Sequence, residues 1–360
     1  MARWPRCPHR ATTTMSTSFR RALFSSLPIP RTRIDGWRVL VTGANTGLGF
    51  EAAKHFARQG ASVILACRSR DKALNAKAQI DALLGLAPGT IQVLIVDMES
   101  FDSIRDFASS VGPVDGIVLN AGIASETWNV AGDGWERSLQ VNVLGTALLA
   151  RLLLPRALER RKEVAGSGTI PTITIVSSHM YQFADFKRYV KIEGNIIEAL
   201  NDENIFGTGE RSIILIKSKS GQMAPRRYPM TKLLGIYIAR ELAALVPKAS
   251  DGNPMATPGF CHSDLLREYN LPLLGLFKTL FARSTETGAR TYFHSIVDAG
   301  PSSHGEYIDD CRIKSLPKKL FKTKKARELQ RKVWDDLMEI LEDVAPELKL
   351  ENAGFGSVKM

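Results

Sequence analysis

Cysteine is scarce in this 360-residue chain, and the four cysteines are scattered at Cys7, Cys67, Cys261 and Cys311. No two of them stand at the C-x-x-C spacing of a zinc or redox site. Isolated thiols fit a reducing compartment better than a disulfide framework. The cysteines therefore argue against a zinc site, and we predict no metal site.

Long hydrophobic runs are also missing. No apolar stretch approaches the roughly 18 uninterrupted residues that a membrane span requires, so the sequence predicts no transmembrane helix. With 44% hydrophobic and 24% charged residues, the chain is too apolar for wholesale disorder. Its length allows one large domain or two ordinary ones with a full core.

Acidic residues are lacking at particular places rather than throughout. The chain has 48 Lys and Arg against 37 Asp and Glu, a net charge of +11, which raises the hypothesis of a nucleic-acid or anionic-membrane partner. Residues 1–34 hold seven arginines and no acid, and residues 311–333 hold ten basic residues and one acid, whereas residues 35–310 balance at 29 and 29. Since Phe321 is the only aromatic residue in the basic stretch 318–332, we expect no nucleic-acid partner.

Short β-branched runs alternate with longer stretches of helical period, a pattern typical of a parallel sheet covered by helices. We predict an α/β fold, a single Rossmann-type doubly wound sheet with helices on both faces, over residues 36–310. A basic arm (1–35) precedes it, and a basic stretch with a C-terminal amphipathic helix (311–360) follows. Strands are predicted at Trp37–Val41, Ser62–Cys67, Ile91–Val96, Gly116–Leu119, Thr169–Ser177, Met255–Thr257 and Glu306–Ile308. Helices are predicted at Leu48–Arg58, Lys72–Leu84, Ser103–Ser110, Glu136–Arg161, Pro229–Leu245, Glu286–Val297 and Lys325–Asp343.

A glycine-rich turn, TGANTGLG at Thr42–Gly49, joins the first predicted strand to the first helix. Glycines there let the backbone turn sharply and let a diphosphate approach the helix N-terminus, where free N–H groups favour anions. A turn glycine also occurs without any ligand, but this position opens a strand–helix–strand series. We predict nucleotide binding by Gly43, Asn45, Thr46, Gly47, Leu48 and Gly49.

The end of the second strand predicts which dinucleotide is bound. It reads Ala-Cys-Arg-Ser-Arg over 66–70, with no acid before Asp71. NAD sites place a carboxylate there for the ribose 2′-hydroxyl, whereas arginine suits a 2′-phosphate. We predict NADP(H), clamped by Arg68; the alternative is a solvated surface arginine. Further cofactor contacts are predicted after the third and fourth strands, at Asp97, Met98, Asn120, Ala121 and Gly122.

Six sequence blocks stand in order along the predicted strands and helices. They are TGANTGLG (Thr42–Gly49), NAG (Asn120–Gly122), Asn142 in VNVLG, Ser178 closing IVSS, YPMTK (Tyr228–Lys232) and PGFCHSDL (Pro258–Leu265). Together they resemble the short-chain dehydrogenase/reductase family over about residues 36–310. Within it, the chain is most similar to the retinol-dehydrogenase-like and protochlorophyllide-reductase-like branch. It is closer still to fungal members, many of them from secondary-metabolite pathways, which share the NIIEALND and WDDLMEILEDVAPEL segments.

The resemblance implies hydride transfer between a nicotinamide and a carbonyl or alcohol carbon. Tyr228 would be the general acid/base. A free tyrosine titrates near pH 10, and Lys232, one helical turn on, would supply the positive charge that lowers this value and would hold the nicotinamide ribose. Ser178, rather than Ser177, would hydrogen-bond the substrate oxygen, and Asn142 would hold a proton-relay water unless it is only a structural helix residue.

The resemblance also implies that the loop at 258–265 covers the nicotinamide. His179 and His262 are interpreted as packing or surface residues. Cofactor contacts in the loop are predicted for Pro258, Gly259 and Ser263.

Two departures from the family pattern stand out. Thr231 replaces the serine usual before the lysine, and we expect no loss from it. The step from Ser178 to Tyr228 is 50 residues, far longer than in simpler members, so we predict an insertion at 179–226. Within it, Gly207–Gln222 resembles nothing recognisable; a surface excursion and a retained intron are both open. A misplaced insertion would displace Tyr228.

The substrate is not identified by the sequence. The segment Asn270–Ala282, NLPLLGLFKTLFA, occupies the family's lid position and indicates a small lipophilic substrate, a peripheral membrane contact or simple burial. We expect a monomer or homodimer. Residues 1–34 resemble a mitochondrial presequence and Met15 is a second candidate start, but we favour a cytoplasmic enzyme with a family-type arm.

Three hypotheses follow from the sequence. The first is an NADP-dependent oxidoreductase, which includes a retinol- or steroid-type dehydrogenase. The second is a catalytically silent NADP-binding protein, and the third is a membrane- or nucleic-acid-binding protein that uses its basic ends.

Overall fold

Within the part of the chain that the structure describes, eight strands form one sheet in the order β3-β2-β1-β4-β5-β6-β7-β8. The computed structural model describes residues 27–125, 127–164, 169–184, 192–207, 227–246, 255–257 and 284–349, with only the backbone of 206–207 and 255–257. Strands β1 to β7 are parallel, and β8 pairs antiparallel with β7. The strands are β1 Arg38–Thr42, β2 Ser62–Cys67, β3 Ile91–Ile95, β4 Gly116–Leu119, β5 Thr172–Val176, β6 Met255–Thr257, β7 Tyr307–Asp309 and β8 Arg312–Lys314.

The helices of the described residues connect these strands and cover the sheet. Short 3-10 turns lie at His179–Phe183 and Pro301–Ser303, and π-helical turns lie at Gln140–Leu144, Glu203–Gly207 and His294–Asp298. The α-helices are α1 Gly47–Arg58, α2 Arg70–Leu84, α3 Phe101–Ser110, α4 Arg137–Leu139, α5 Gly145–Glu163, α6 Ile196–Ala199, α7 Arg227–Leu245, α8 Thr285–Phe293, α9 Lys318–Phe321 and α10 Lys324–Val344.

Both faces of the sheet are packed against helices. Along β1, Leu40 belongs to one buried cluster while Val39 and Val41 belong to the other, because successive side chains on a strand point to opposite faces. The larger cluster collects residues of α3, α5, α7 and α10, and the smaller one those of α1, α2 and α8. The predicted doubly wound α/β fold is therefore confirmed.

The strand order fixes where a ligand can bind. The chain runs outward from β1 to β3 and then returns to β4, which pairs with β1 on its other side. Doubly wound sheets bind ligands outside the carboxyl ends of the strands, at such a reversal. The turn after Thr42 and the segment after Leu119 lie at that point, because Val41 pairs with Val118.

The segment after β7, predicted only as the start of the basic stretch 311–360, forms one more strand. Asp310 and Cys311 both have φ of 54°, and they turn the chain so that Arg312–Lys314 returns as an antiparallel edge strand. Left-handed turns usually contain Gly or Asn, so an Asp-Cys pair gave no sequence signal for this hairpin.

The predicted terminal amphipathic helix is present as α10 and belongs to the main core. Val333, Leu337 and Leu341 are each at most 1% exposed and lie in the larger cluster. Beyond the helix, Arg105 on α3 donates its Nε to Glu347 at 3.0 Å. Residues 321–349 thus complete the core of the sheet.

One helical run among the described residues has the length and composition of a membrane span, although the sequence predicts no transmembrane helix. The continuous helical run Arg137–Glu163 contains an 18-residue window of mean hydropathy 1.4, and 78% of that window is buried inside the fold. This run was not predicted as a span because the charged Arg151 interrupts it, and the prediction required uninterrupted apolar residues. Because most of the window is buried inside the fold, the run is a core helix, and its apolar residues belong to the larger buried cluster.

Candidate active site

The glycine-rich turn after β1 leaves the start of α1 open. Gly43 has φ of +63°, a left-handed conformation that favours glycine. Thr46 precedes the helix in an extended conformation and makes no side-chain cap hydrogen bond, so the first N–H groups of α1 are available to an anion. A Cβ on Gly49 would lie 2.4 Å from the Gly43 carbonyl oxygen. The predicted diphosphate site therefore has the local form that it requires.

Asn120, predicted as a cofactor contact, has its side chain committed to the protein. Its Nδ2 donates to the carbonyl oxygens of Thr42, at 2.9 Å, and Gly43, at 3.3 Å. Its Oδ1 accepts from the hydroxyl of Tyr292 at 3.3 Å. Asn120 thus braces the glycine-rich turn, while the backbone of Ala121 and Gly122 continues from the end of β4. Tyr292 was missed because a tyrosine within a helical pattern carries no signal of this contact.

Asn142 lies in the π-helical turn Gln140–Leu144, which interrupts the single helix predicted over Glu136–Arg161. Its Oδ1 accepts from the Ile123 N–H and its Nδ2 donates to the Ile123 carbonyl, both at 2.8 Å. The same Nδ2 donates to the Thr231 hydroxyl at 3.0 Å. Asn142 therefore joins the segment after β4 to helix α7. π-Turns of this kind occur frequently at functional sites.

Tyr228 and Lys232 lie together on the first turns of α7. Both are buried, at 6% and 7% exposure, and the Lys232 Nζ is 5.5 Å from the centroid of the Tyr228 ring. Burial lowers the pKa of Lys232 to about 8. Its Nζ donates to the Val176 carbonyl at 3.1 Å. Thr231 donates its hydroxyl to the Tyr228 carbonyl at 3.0 Å. Thr231 thus supplies a hydroxyl at the position before Lys232 where the family usually has serine.

The two serines after β5 have different surroundings. Ser177 is buried and donates its hydroxyl to the Lys232 carbonyl at 3.0 Å, which uses that hydroxyl to hold α7. Ser178 caps the 3-10 turn, and its Oγ accepts from the Met180 N–H at 3.3 Å. An Oγ that accepts can still donate its own proton. The Ser178 hydroxyl can thus donate to a bound oxygen while that of Ser177 holds α7, and the role of Ser178 at a substrate stays a prediction.

His179, interpreted from the sequence as a packing or surface residue, pairs with a buried carboxylate. Its Nε2 lies 3.2 Å from Asp309 Oδ2. Burial alone would lower the pKa of His179, but the hydrogen bond and charge of Asp309 raise it overall. The pair packs the turn after Ser178 against the end of β7.

Arg68 lies where the sequence predicts it, exposed at the end of β2, with 58% of its side chain accessible. Its guanidinium forms an ion pair with Glu99, which also accepts from Arg137 at 2.8 Å. Burial alone would raise the pKa of Glu99, but these two arginines lower it overall. The guanidinium of Arg68 is therefore held at the strand edge by a carboxylate that sequence reasoning did not identify.

Asp97 and Met98, which the sequence predicts as cofactor contacts and which would meet an adenine ring, follow the end of β3. Asp97 Oδ1 accepts from the Glu99 N–H at 3.0 Å, which shapes the turn after β3. Met98 is 7% exposed and its side chain belongs to the larger core cluster. Only the backbone of Met98 can therefore meet an adenine ring.

The segment after β4, the helix of Asn142, helix α7 and the end of β5 converge at the carboxyl ends of the strands. A Cβ on Gly122 would lie 3.1 Å from Asn142 Oδ1 and 3.4 Å from Lys232 Nζ. A phenol, an ammonium group and a serine hydroxyl near a dinucleotide-type turn can exchange a proton with a bound oxygen. The predicted contacts Pro258, Gly259 and Ser263 lie outside the described residues, as do His262, residues 208–222 of the unrecognised stretch and the segment Asn270–Ala282.

Comparison with known proteins decides the family. Residues 38–189 match the family model of the short chain dehydrogenases. The short chain dehydrogenase/reductase dmxR8 of Cryptosporiopsis sp. is 36% identical over 333 residues, which cover 90% of this chain and 96% of that protein. The chain belongs to the short-chain dehydrogenase/reductase family. The short chain dehydrogenase atnD of Emericella nidulans is another relative, 35% identical over 86% of this chain and 93% of its own.

The fold of this short-chain dehydrogenase/reductase also recurs in solved structures. A short chain dehydrogenase from Shigella flexneri, complexed with NADP, aligns with a TM-score of 0.55 at 19% identity, over 78% of this chain and 99% of that one. This likeness shows the fold. Membership of the family makes the protein an oxidoreductase that uses a nicotinamide cofactor. The open N-terminus of α1 and the open space beside Gly47, where a Cβ would meet no atom within 4 Å, fit the diphosphate of such a cofactor.

Proposed function

We propose that this enzyme transfers hydride between NADP(H) and a carbonyl or alcohol carbon of a small lipophilic metabolite. The observation that carries the proposal is the buried Tyr228–Lys232 pair, 5.5 Å from ring centroid to Nζ, beside the end of β5. The fungal relatives dmxR8 and atnD favour a role in secondary-metabolite biosynthesis.

Each residue of the site has a distinct task in this reaction. The bound nicotinamide supplies or accepts the hydride. In reduction, the Tyr228 hydroxyl gives its proton to the oxygen of the carbonyl, and in oxidation it takes that proton back. The Ser178 hydroxyl holds the substrate oxygen, and the ammonium group of Lys232 stabilises negative charge on the phenol oxygen. Asn142 keeps the segment after β4 against α7 through Ile123 and Thr231.

The preference for NADP(H) is supported by the arginine at the end of β2. No acid stands there to accept from a ribose 2′-hydroxyl, and Arg68 is exposed with a guanidinium that can bind a phosphate in a bidentate manner. Solved structures with the same fold contain NADP, NADPH or NADH, so the preference rests on the residues after β2 and not on the fold. A bound 2′-phosphate would have to replace Glu99 as the partner of Arg68. The Glu99 carboxylate would then still be paired with Arg137.

Replacing Arg68 by alanine tests the coenzyme preference. Loss of a charge-assisted contact should lower kcat/KM for NADPH roughly 10- to 100-fold. The value for NADH, which lacks the 2′-phosphate, should change less than about threefold. Steady-state kinetics with both coenzymes measures this, with Arg58→Ala at the far end of α1 as the matched control. An equal loss with both coenzymes would contradict a 2′-phosphate contact.

A screen of NADPH oxidation over ketones, aldehydes and quinones tests the reaction class, with the reverse assay on secondary alcohols and NADP⁺. Turnover of any of these supports the proposal, and the structure of the best substrate sorts retinol- and steroid-type activity from other classes. NADPH binding without turnover would favour the catalytically silent alternative, which the 50-residue step from Ser178 to Tyr228 keeps open. Absence of both binding and turnover would reject the proposal.

A further inference from the structure

A fully enclosed arginine stands directly before Tyr228. Arg227 is 2% exposed and its Nη2 donates to the carbonyl oxygens of Ser125, at 3.1 Å, and Thr127, at 2.9 Å. Its guanidinium lies 5.6 Å from the ring centroid of Trp128. Arg227 therefore joins the first turn of α7 to the loop that follows the Asn120–Gly122 segment.

The counter-charge of this arginine is also enclosed. Glu136 is completely buried, and its Oε1 lies 3.5 Å from Arg227 Nε. Its Oε2 accepts from the Leu139 N–H at 2.8 Å, which caps the helical run that contains Asn142. Its own N–H donates to Asn201 Oδ1 at 2.6 Å. The carboxylate thus contacts α7 and the Asn142 helix, and the backbone N–H of the same residue contacts the segment after α6.

Stability does not account for this arrangement well. Taking two charges out of water carries a large desolvation penalty, and well-packed apolar residues of similar volume are often as stabilising as a buried ion pair. The polar contacts of these residues differ from apolar contacts in their directionality. The Arg227 Nη2 hydrogen bonds to the Ser125 and Thr127 carbonyls and the Leu139 N–H bond to Glu136 Oε2 hold defined angles, and the two charges attract each other across 3.5 Å. The position of Arg227 beside Tyr228 places that directionality at the start of α7.

We infer that the Arg227–Glu136 ion pair is a positioning element that holds Tyr228 in register with Asn142 and with the backbone at Gly122. This inference rests on the proposed function, since it assigns a task to residues that support Tyr228. Neither residue is a catalytic residue. They act through the placement of α7 against the helix and loop that complete the site.

The test compares Arg227→Met with Arg160→Met. Arg160 is the control because it also pairs with a fully buried carboxylate, its Nε lying 2.9 Å from Asp115. Asp115 precedes β4 at the amino end of the strand, whereas the site lies at the carboxyl ends of the strands. A displacement of about 1 Å at a reacting group can lower a rate about 100-fold. We expect Arg227→Met to lower kcat about 30- to 100-fold, with KM for the carbonyl and the NADPH Kd, from fluorescence titration, within about threefold of wild type.

Further variants separate positioning from simple destabilisation. Arg160→Met should lower the Tm as Arg227→Met does but leave kcat within about twofold of wild type. Arg227→Lys restores the charge without the fork, so it should recover part of kcat. Glu136→Gln keeps the shape, and combining it with Arg227→Met should lower kcat no further than the single changes, because the two residues act as one unit.

Each outcome decides a particular statement. Unchanged kcat in Arg227→Met, or equal losses of kcat in Arg227→Met and Arg160→Met at equal loss of Tm, would overturn the positioning inference alone. If Arg227→Met does not fold, the double variant of Arg227→Lys and Glu136→Gln takes its place. A loss of kcat in that double variant equal to the sum of the two single losses, in free energy, would overturn the positioning inference. A wild-type enzyme that binds NADPH but neither reduces a carbonyl nor oxidises an alcohol defeats the proposed function, and the inference falls with it.

Discussion

Replacing Tyr228 by phenylalanine should lower kcat for carbonyl reduction about 1000-fold, within the range of about 10²- to 10⁴-fold for removal of a general acid. The change deletes only the hydroxyl, and the buried ring keeps its packing on α7. NADPH should therefore bind with a Kd within about threefold of wild type. Stopped-flow measurement of NADPH oxidation, with fluorescence titration of binding, checks both expectations.

The same helix supplies a matched control for this change. Tyr237 is also buried on α7, and its hydroxyl donates to the Leu320 carbonyl at 3.2 Å, away from Lys232. Tyr237→Phe should reduce the free energy of unfolding by about 1 kcal/mol and leave kcat unchanged. Equal losses of kcat in the two variants would show that the hydroxyl of Tyr228 has no special part in the reaction.

Replacing Lys232 by methionine should have opposite effects on activity and stability. Removal of the cation beside Tyr228 should lower kcat/KM about 100-fold or more, as for loss of one electrostatic contact in other enzymes. The same change removes a buried charge, so the free energy of unfolding of the cofactor-free protein at pH 7 should increase. Activity assays and urea unfolding of both proteins measure the two effects.

The pH dependence of unfolding identifies the cause of that gain. The pKa of Lys232 is about 8 in the folded protein, against an ordinary value of 10.5. Between these pH values the unfolded chain binds one proton more, so wild-type stability rises with pH relative to Lys232→Met. The advantage of Lys232→Met should therefore shrink between pH 8 and pH 10.5. A difference that is constant over this range would contradict a buried cation, and the exposed Lys72→Met serves as control.

The fold and the centre of the site were accessible to sequence reasoning because they depend on local patterns. Strand and helix periods predict the sheet, and the glycine-rich turn between Thr42 and Gly49 predicts the diphosphate site from a few neighbouring residues. Tyr228 and Lys232 follow from an i, i+4 spacing on one helix. The structure places all of these at the carboxyl edge of the sheet, as the strand order requires.

The supporting contacts were not accessible, because they join residues far apart in the chain. Glu136 begins one predicted helix and Arg227 precedes another, 91 positions apart, and no local pattern pairs them, yet they form a buried ion pair. Glu99 gives no sign in the sequence that it holds Arg68. The π-turn around Asn142 keeps the apolar pattern of an ordinary helix, so the interruption of the hydrogen-bond ladder is invisible in the residue types.

The burial of α10 in the main core has a consequence for biosynthesis. Trp334, Leu337 and Leu341 fill the same apolar layer as helices that are synthesised far earlier. While the ribosome is still translating this region, the growing chain exposes that layer to solvent and to other nascent chains. Domains with such long-range contacts fold slowly and are exposed to aggregation until the contacts form. Chaperone capacity and translation speed over the last codons of the core should therefore govern the yield of soluble enzyme.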